Sequence, residues 1–172
     1  MIRDGDEALD ASLAARGYEI IDPVTLYLCE TAHLRPASLP RAQSYCIWEP
    51  LHIMREIWAT GGIQEPRIAL MHRVQTPKTA LLARSGDTPA GVGFLALDGE
   101  ITMLHAVEVL PSYRRRGVAK KLMAQAAKWA EDHGAKYMAL MTTRDNQAAN
   151  RLYSSLGMRP VGHYHYRIKD TA

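Results

Sequence analysis

The stretch VEVLPSYRRRGVAKKLM, residues 107–123, most strongly limits what this chain can fold into. It starts with apolar residues typical of a strand, is interrupted at Pro111, and continues as an amphipathic helix. Between strand and helix lie three arginines and a glycine, residues 114–117. A glycine there lets a ligand approach the helix N-terminus, where unpaired amides attract negative charge. The segment therefore predicts a strand–loop–helix unit that binds a polyanion such as a pyrophosphate.

Two other phosphate-binding loops are excluded by the sequence. The chain contains neither GxxxxGK[ST], the loop of nucleotide hydrolases, nor GxGxxG, the loop of dinucleotide-binding folds. The glycine pair in GVGF, residues 91–94, lies inside a predicted strand. Taken alone, the three arginines are equally compatible with a solvated turn or a basic patch.

Composition narrows the class of protein. A chain of 172 residues is long enough for one domain with a core, or for one domain with an appendage. The net charge of +3 permits an anionic ligand but does not favour a nucleic-acid-binding protein, which usually carries a larger basic surface. No apolar run approaches the roughly 20 residues of a membrane helix, so no membrane partner is expected.

The two cysteines indicate a reducing environment. Cys29 and Cys46 both lie in apolar, strand-like surroundings, which favours buried free thiols over a disulfide. The N-terminal residues MIRDGDEALD are acidic and lack the apolar core of a signal peptide. We therefore expect a cytoplasmic protein.

The N-terminal part of the chain predicts a helix ended by Gly17 and an extended segment that runs to Leu28. Residues 30–43 contain prolines and show no periodicity, so we expect a linker there. After it the pattern predicts a strand at 44–50 and helices at 51–62 and 65–74.

From Lys78 onward the pattern is that of a mixed α/β fold. Three antiparallel strands are predicted at 78–84, 92–97 and 101–109, with an Asp-Gly turn before the third. The apolar third strand is expected to be buried on both faces. A helix at 118–134, a strand at 136–143, a helix at 146–157 and a strand at 159–168 complete the series.

Two motifs in this region resemble those of the GCN5-related N-acetyltransferase (GNAT) superfamily. Its acyl-CoA signature, Gln/Arg-x-x-Gly-x-Gly/Ala, is matched at Arg114, Gly117 and Ala119. Its later signature, Asn-x-x-Ala-x-x-Leu-Tyr-x-x-x-Gly-Phe, is matched by the segment 146–157, and Met158 replaces the aromatic residue. The resemblance covers roughly residues 44–170, and both motifs occur in the family's order.

The resemblance implies the acyl-CoA N-acyltransferase fold. This is an α/β fold with a mixed, mostly antiparallel central sheet, flanking helices, and fourth and fifth strands that splay apart to admit pantetheine. It implies acetyl-CoA as the cosubstrate. The cofactor-binding residues that it implies are Val107, Glu108, Val109, Arg114, Arg115, Arg116, Gly117, Val118, Ala119, Asn146 and Tyr153.

The resemblance also implies a catalytic acid, since the Tyr153 hydroxyl would protonate the departing thiolate. A base is needed to deprotonate the acceptor ammonium, and the candidates on the fourth strand are His105 and Glu108. The backbone amide near Val109 would polarise the thioester carbonyl. Structural roles remain open for these residues: Tyr153 and His105 as core residues, and Glu108 as a strand residue. No metal cluster is expected.

We divide the chain into residues 1–43, a helix–strand appendage with a linker, and residues 44–172, the N-acetyltransferase domain. Residues 8–28 can be aligned with 148–168, with Gly17 on Gly157. Two interpretations stay open. Residues 1–30 are the tail of a degenerate upstream copy, or they are a plain helix and strand that pack on the sheet.

The function predicted from the resemblance is transfer of an acetyl group from acetyl-CoA to a primary amine by direct attack. The expected partners are a coenzyme A thioester and a small-molecule or peptide amine, with no nucleic acid; homodimers are common in the superfamily. The sequence does not select the acceptor. The alternative function is a non-catalytic acyl-CoA-binding module that regulates or senses.

Overall fold

The computed structural model describes residues 1–34 and 43–169. By its internal contacts the chain forms two compact units, one made of Met1–Leu28 and Leu140–Ala172 and the other of Cys29–Ala139. The N-terminal residues thus belong to the same unit as the C-terminal ones. The predicted division of the chain after residue 43 remains a prediction.

The strands and helices follow the predicted order closely. From the N-terminus they are β1 (Ile2–Arg3), α1 (Glu7–Ala15), β2 (Glu19–Glu30), α2 (Thr31–Leu34), β3 (Ser44–Ile47), α3 (His52–Thr60), α4 (Glu65–Arg73), β4 (Lys78–Ser85), β5 (Thr88–Asp98), β6 (Ile101–Val109), α5 (Val118–Asp132), β7 (Tyr137–Thr143), α6 (Gln147–Ser155) and β8 (Arg159–Ile168). A single 3-10 turn, Pro111–Tyr113, lies between β6 and α5.

Two short elements were not predicted. β1 has two residues and is defined by its pairing with β8, where Ile2 lies opposite His165. α2 occupies the first part of the expected linker, whose residues 35–42 lie outside the described residues. Elements this short carry too few residues to show a hydrophobic period.

In the first unit, β2 pairs along most of its length with β8. The two strands are antiparallel, from Glu19 opposite Ile168 to Leu28 opposite Arg159. On the other side of β2, the amide of Arg144 at the end of β7 donates to the Pro23 carbonyl at 2.7 Å. The N-terminal strand is therefore an integral part of this unit.

In the second unit, four antiparallel strands lie in the order β3-β4-β5-β6. The predicted Asp-Gly turn joins β5 to β6, with Gly99 at a φ of 56°. The core on one side of these strands is formed by Met54, Ile57, Trp58, Ile68, Met71, Ala80, Leu82, Val92 and Phe94. α3 and α4 supply its helical half: Met54, Ile57 and Trp58 of α3 are buried as its periodicity predicts, whereas Leu51 and Ile53, predicted on the same face, are exposed.

α5 buries the face that its periodicity predicts. The buried residues are Val118, Leu122, Met123, Ala126, Ala127, Trp129 and Ala130. The helix begins directly after Gly117, and Gly134 follows its end at a φ of 79°. Burial of this stripe fixes where the N-terminus of α5 lies within the unit.

β6 differs from its prediction. It is only half-buried from His105 to Val109, whereas β4 and β5 contain the fully buried runs. The strand also contains a β-bulge: Val92 pairs with Glu108 but Phe94 pairs with His105, so one residue of β5 faces two of β6. The apolar composition of β6 did not reveal this irregularity.

The predicted fold class, mixed α/β with mostly antiparallel strands and flanking helices, is confirmed. The splaying of the fourth and fifth strands stays a prediction. Both cysteines are free thiols, Cys29 buried and Cys46 half-buried. Within the part of the chain that the structure describes, no helix has the length and apolar character needed to span a membrane.

Candidate active site

The loop between β6 and α5 has an unusual backbone conformation. Arg115 has a φ of 63° and Gly117 a φ of 79°, so two residues of this short loop are left-handed. A left-handed conformation next to right-handed ones turns successive amides toward one side of the chain. It is uncommon for a residue other than glycine, and it often marks a functional loop.

The amides of this loop are available to a ligand. In the described ranges, 1–34 and 43–169, no protein acceptor bonds the amides of residues 115–120; the next amide, that of Lys121, donates to the Gly117 carbonyl at 3.1 Å. Arg115 and Arg116 are exposed, and the Arg116 guanidinium lies 5.5 Å from the Tyr113 ring. Free amides and two exposed guanidinium groups fit a diphosphate.

Arg114 behaves differently from its two neighbours. Its Nε donates to the Val109 carbonyl at 3.0 Å, and its Nη2 donates to Glu108 Oε1 at 3.2 Å. The side chain therefore turns back onto the end of β6. All three arginines are exposed, the Arg114 side chain by 59%, but among the described residues only Arg114 is hydrogen-bonded to β6.

Val109 turns its backbone polar groups away from β5. The amide of the next residue, Leu110, donates to the Ala90 carbonyl of β5 at 2.9 Å, and successive residues of a strand alternate in direction. The Val109 amide instead donates to Glu108 Oε1 at 3.1 Å, and its carbonyl accepts from Arg114. This amide, which we expected to polarise a thioester carbonyl, bonds a carboxylate in the structure.

Glu108 lies against the C-terminal end of α3. Its side chain is only 16% exposed. A Cβ atom on Gly61 would collide with the Cγ, Cδ and Oε2 atoms of Glu108, so a larger residue at position 61 would require the Glu108 side chain to move. The sequence showed Gly61 as a helix terminator, and nothing in the pattern indicated that it faces Glu108.

A hydrogen bond from a residue of α3 stabilises the bulge of β6. Ala106 has a φ of 51°, and its carbonyl accepts a 2.7 Å hydrogen bond from Trp58 Nε1. Val107, the other bulge residue, is half-buried. We missed the role of Trp58, because an aromatic residue on an amphipathic helix is usually explained by packing alone.

His105 lies just before the bulge and is half-buried. Burial, reinforced by the positive charge of Arg67, lowers the pKa of its imidazole. The ring is therefore neutral at physiological pH and can accept a proton. This arrangement meets the first requirement for a general base.

In the first unit, Asn146 caps α6. Its Oδ1 accepts from the Ala149 amide at 3.1 Å, which is the usual N-cap hydrogen bond. Its carbonyl accepts from Asn150 Nδ2 at 2.8 Å. Asn146 thus stabilises the start of the helix that carries Tyr153, in addition to any contact with a ligand.

Tyr153 is a buried residue of α6, 5% exposed. Burial raises the pKa of its hydroxyl to about 12, with a smaller contribution from Tyr27, whose ring centre lies 5.8 Å away. The group therefore keeps its proton across the physiological range. A protonated hydroxyl is the state that a catalytic acid requires.

The structure brings together part of the predicted site. Within the second unit, Glu108, Val109 and Arg114 are joined by hydrogen bonds at the end of β6, and the free amides of residues 115–120 follow directly. Asn146, the N-cap of α6, and Tyr153, within α6, belong to the first unit. No cluster of potential metal ligands occurs among the residues that the structure describes.

A bulged strand followed by a loop of free amides at a helix N-terminus, within a mixed α/β fold, is the arrangement expected of an N-acetyltransferase. Residues 45–158 match the acetyltransferase (GNAT) family model. The chain therefore belongs to the GNAT family.

The similar proteins are distant. An aminoglycoside N(6')-acetyltransferase type 1 of Salmonella typhimurium is 37% identical over 57 residues, which are 33% of this chain and 39% of that enzyme. A GCN5-related N-acetyltransferase from Kribbella flavida has a TM-score of 0.71 at 21% identity. The match covers 95% of this chain and 65% of the Kribbella chain. A Bacillus subtilis acetyltransferase solved in complex with CoA has a TM-score of 0.57 at 19% identity. The match covers 68% of this chain and 76% of the Bacillus chain. The chain spans well under half of the Salmonella enzyme.

Proposed function

We propose that this protein transfers an acetyl group from acetyl-CoA to a primary amine. The observation that carries the proposal is the run of free amides at residues 115–120, which with Arg115 and Arg116 fits the diphosphate of coenzyme A. Membership of the GNAT family supports acetyl-CoA as the cosubstrate. The complex of the similar Bacillus subtilis acetyltransferase with CoA supports it too.

The proposed reaction is a direct transfer. The amine nitrogen attacks the thioester carbonyl carbon, the C–N bond forms, and the C–S bond breaks. The Tyr153 hydroxyl gives its proton to the leaving thiolate. The acceptor enters as an ammonium ion and loses two protons: the base, His105 or Glu108, takes one, and the other restores Tyr153.

The state of the cysteines supports direct attack over an acyl-enzyme. Burial raises the pKa of the Cys29 thiol to about 11, and burial also raises that of Cys46. A thiol must be deprotonated to act as a nucleophile. Neither residue lies on β6 or α6, the two elements that carry the proposed acid and bases.

The remaining family-implied contacts are part of the proposal. Val107, Glu108 and Val109 lie on the strand proposed to follow the pantetheine arm, and Val118 and Ala119 provide amides at the helix N-terminus. If pantetheine bonds the Val109 backbone, its groups replace the two contacts that Glu108 and Arg114 make to Val109, and the Arg114–Glu108 ion pair stays in place.

The test combines binding and turnover. Calorimetry with acetyl-CoA measures binding, and release of free thiol across a panel of amines measures transfer; the panel includes aminoglycosides, since one similar protein is an aminoglycoside N(6')-acetyltransferase. We expect binding, and thiol release with at least one amine. Binding without turnover on any amine would favour the non-catalytic acyl-CoA-binding module. A folded protein that binds neither acetyl-CoA nor CoA would refute the proposal.

A further inference from the structure

Arg114 makes two contacts to β6 that a residue binding only a phosphate would not need. Its guanidinium spans the last two residues of β6, bonding the Val109 carbonyl through Nε and Glu108 Oε1 through Nη2. Arg115 and Arg116 remain exposed beside the free amides. Arg114 therefore bonds the end of β6, whereas the side chains of Arg115 and Arg116 can bind an anion.

The contacts of Glu108 fix one carboxylate oxygen and leave the other open. Oε1 accepts two hydrogen bonds, from the Val109 amide at 3.1 Å and from Arg114 Nη2 at 3.2 Å. Oε2 accepts none from the residues that the structure describes, 1–34 and 43–169. A carboxylate held by one oxygen presents the second in a defined direction.

The open oxygen lies beside the end of a helix. Oε2 is among the atoms that a Cβ on Gly61 would meet, and Gly61 caps the C-terminus of α3. Carbonyl groups at a helix C-terminus carry partial negative charge. An ionised carboxylate next to that terminus favours a cation, and the acceptor of the proposed reaction arrives as an ammonium ion.

We propose that Arg114 is a positioning residue: it holds Glu108 by Oε1, so that Oε2 binds the ammonium group of the acceptor. This inference rests on the proposed function and deepens it. Glu108 contacts the acceptor, and Arg114 acts only through Glu108. Arg114 then contributes to binding of the acceptor, although it lies in the sequence motif of the cofactor loop.

The test compares Arg114→Gln, Glu108→Gln and the double variant, with two readouts. The first is the Kd for CoA from calorimetry, and the second is kcat/KM for the amine at saturating acetyl-CoA. Arg114→Gln should leave the Kd within about twofold and lower kcat/KM about tenfold, chiefly through a higher KM for the amine. The double variant should be no worse than Glu108→Gln alone, because the two residues act as one unit.

Two further variants sharpen the comparison. Arg114→Lys keeps the positive charge but cannot bond both groups, so it should recover only part of the lost kcat/KM. Arg116→Gln is the matched control in the same loop, and it should weaken CoA binding without raising the KM for the amine. Urea unfolding of every variant shows that the protein is folded at the assay temperature.

Weaker CoA binding by Arg114→Gln with an unchanged KM for the amine would overturn the inference, because Arg114 would then be a phosphate ligand. Independent, additive losses in the double variant would also overturn it. The wild-type heat with acetyl-CoA and the wild-type turnover, measured in the same series, report on the proposed function alone.

Discussion

Trp58 Nε1 donates a 2.7 Å hydrogen bond to the Ala106 carbonyl, joining the core of the second unit to the bulge of β6. Trp58 is 0% exposed, and Ala106 has a left-handed φ of 51°. A buried side chain thus fixes the backbone at the point where β6 departs from regular pairing. The residues after the bulge, Glu108 and Val109, depend on it for their direction.

Trp58→Phe is therefore expected to destabilise the protein by about 2–3 kcal/mol, since it leaves a buried carbonyl without its partner and removes packed atoms. Urea unfolding measures the change in the free energy of unfolding. Trp129→Phe is the control, because Trp129 is also buried but stacks on His133 at 3.9 Å. A loss for Trp129→Phe as large as that for Trp58→Phe would show that the hydrogen bond contributes little.

Gly117→Ala tests the loop. Nothing lies within 4 Å of a Cβ at Gly117, so the cost is backbone strain at a φ of 79°, about 1–2 kcal/mol. We expect that loss of stability together with at least tenfold weaker CoA binding, because relieving the strain redirects the free amides. Gly134→Ala carries the same φ and open surroundings at the other end of α5. It should lose similar stability and bind CoA normally; a similar loss of CoA affinity would contradict the loop assignment.

Tyr153→Phe tests the catalytic acid. It should lower kcat by about a hundredfold or more while CoA binding and stability change little. Tyr27→Phe is the matched control on the neighbouring ring, because the Tyr27 hydroxyl donates to Asn150 Oδ1 at 2.8 Å. That variant should lose about 1 kcal/mol of stability and keep its kcat. Full activity in Tyr153→Phe would return Tyr153 to a purely structural role.

His105→Gln tests the base through the pH dependence. Burial lowers the pKa of His105 below its ordinary value of 6.5, so an activity that requires the neutral ring should decline only at acidic pH. The acidic limb of kcat/KM for the amine should disappear in His105→Gln, and the plateau should fall at least tenfold. If the limb persists in this variant, another group is the base, and Glu108 becomes the leading candidate.

Asp10→Asn tests the attachment of α1 to β8. Hydrogen bonds from Arg167, and then from His165, lower the pKa of Asp10 from 3.8 to about 2, against the opposing effect of partial burial. The unfolded state therefore binds a proton first as the pH falls, so the stabilisation is present above about pH 4 and is lost toward pH 2. Urea unfolding should show wild type more stable than Asp10→Asn at about pH 7, with the gap closing on acidification. A gap independent of pH would exclude the carboxylate charge as its cause.

Local patterns predicted most of the elements and the position of the loop. The apolar periodicity of α5 fixed its buried face, and the glycines after α1, α5 and α6 marked their ends. The order strand, arginines, glycine, helix predicted the position of the loop between β6 and α5, because each step depends on neighbouring residues; anion binding by this loop stays a prediction. The family motifs added the proposed roles of Tyr153 and Asn146.

Three relationships were not predictable from such patterns. Arg114 turns to β6 while Arg115 and Arg116 do not, although all three have the same side chain. Glu108 lies against Gly61, which is 47 positions away by its number in the chain. The pairing of β2 with β8 joins the two ends of the sequence. Each depends on which surfaces meet after folding.

By itself, the sequence determined which segments form helices and strands and the family to which the chain is similar, and it predicted where a polyanion would bind. These follow from side-chain periodicity and backbone preference, which act over a few neighbouring residues. Only the tertiary structure decided the bulge at Ala106, the commitment of Arg114 to Glu108, and the close approach of Gly61. Those features arise where packing of distant elements sets the direction of a backbone or side chain, and that information lies in no single stretch of the chain.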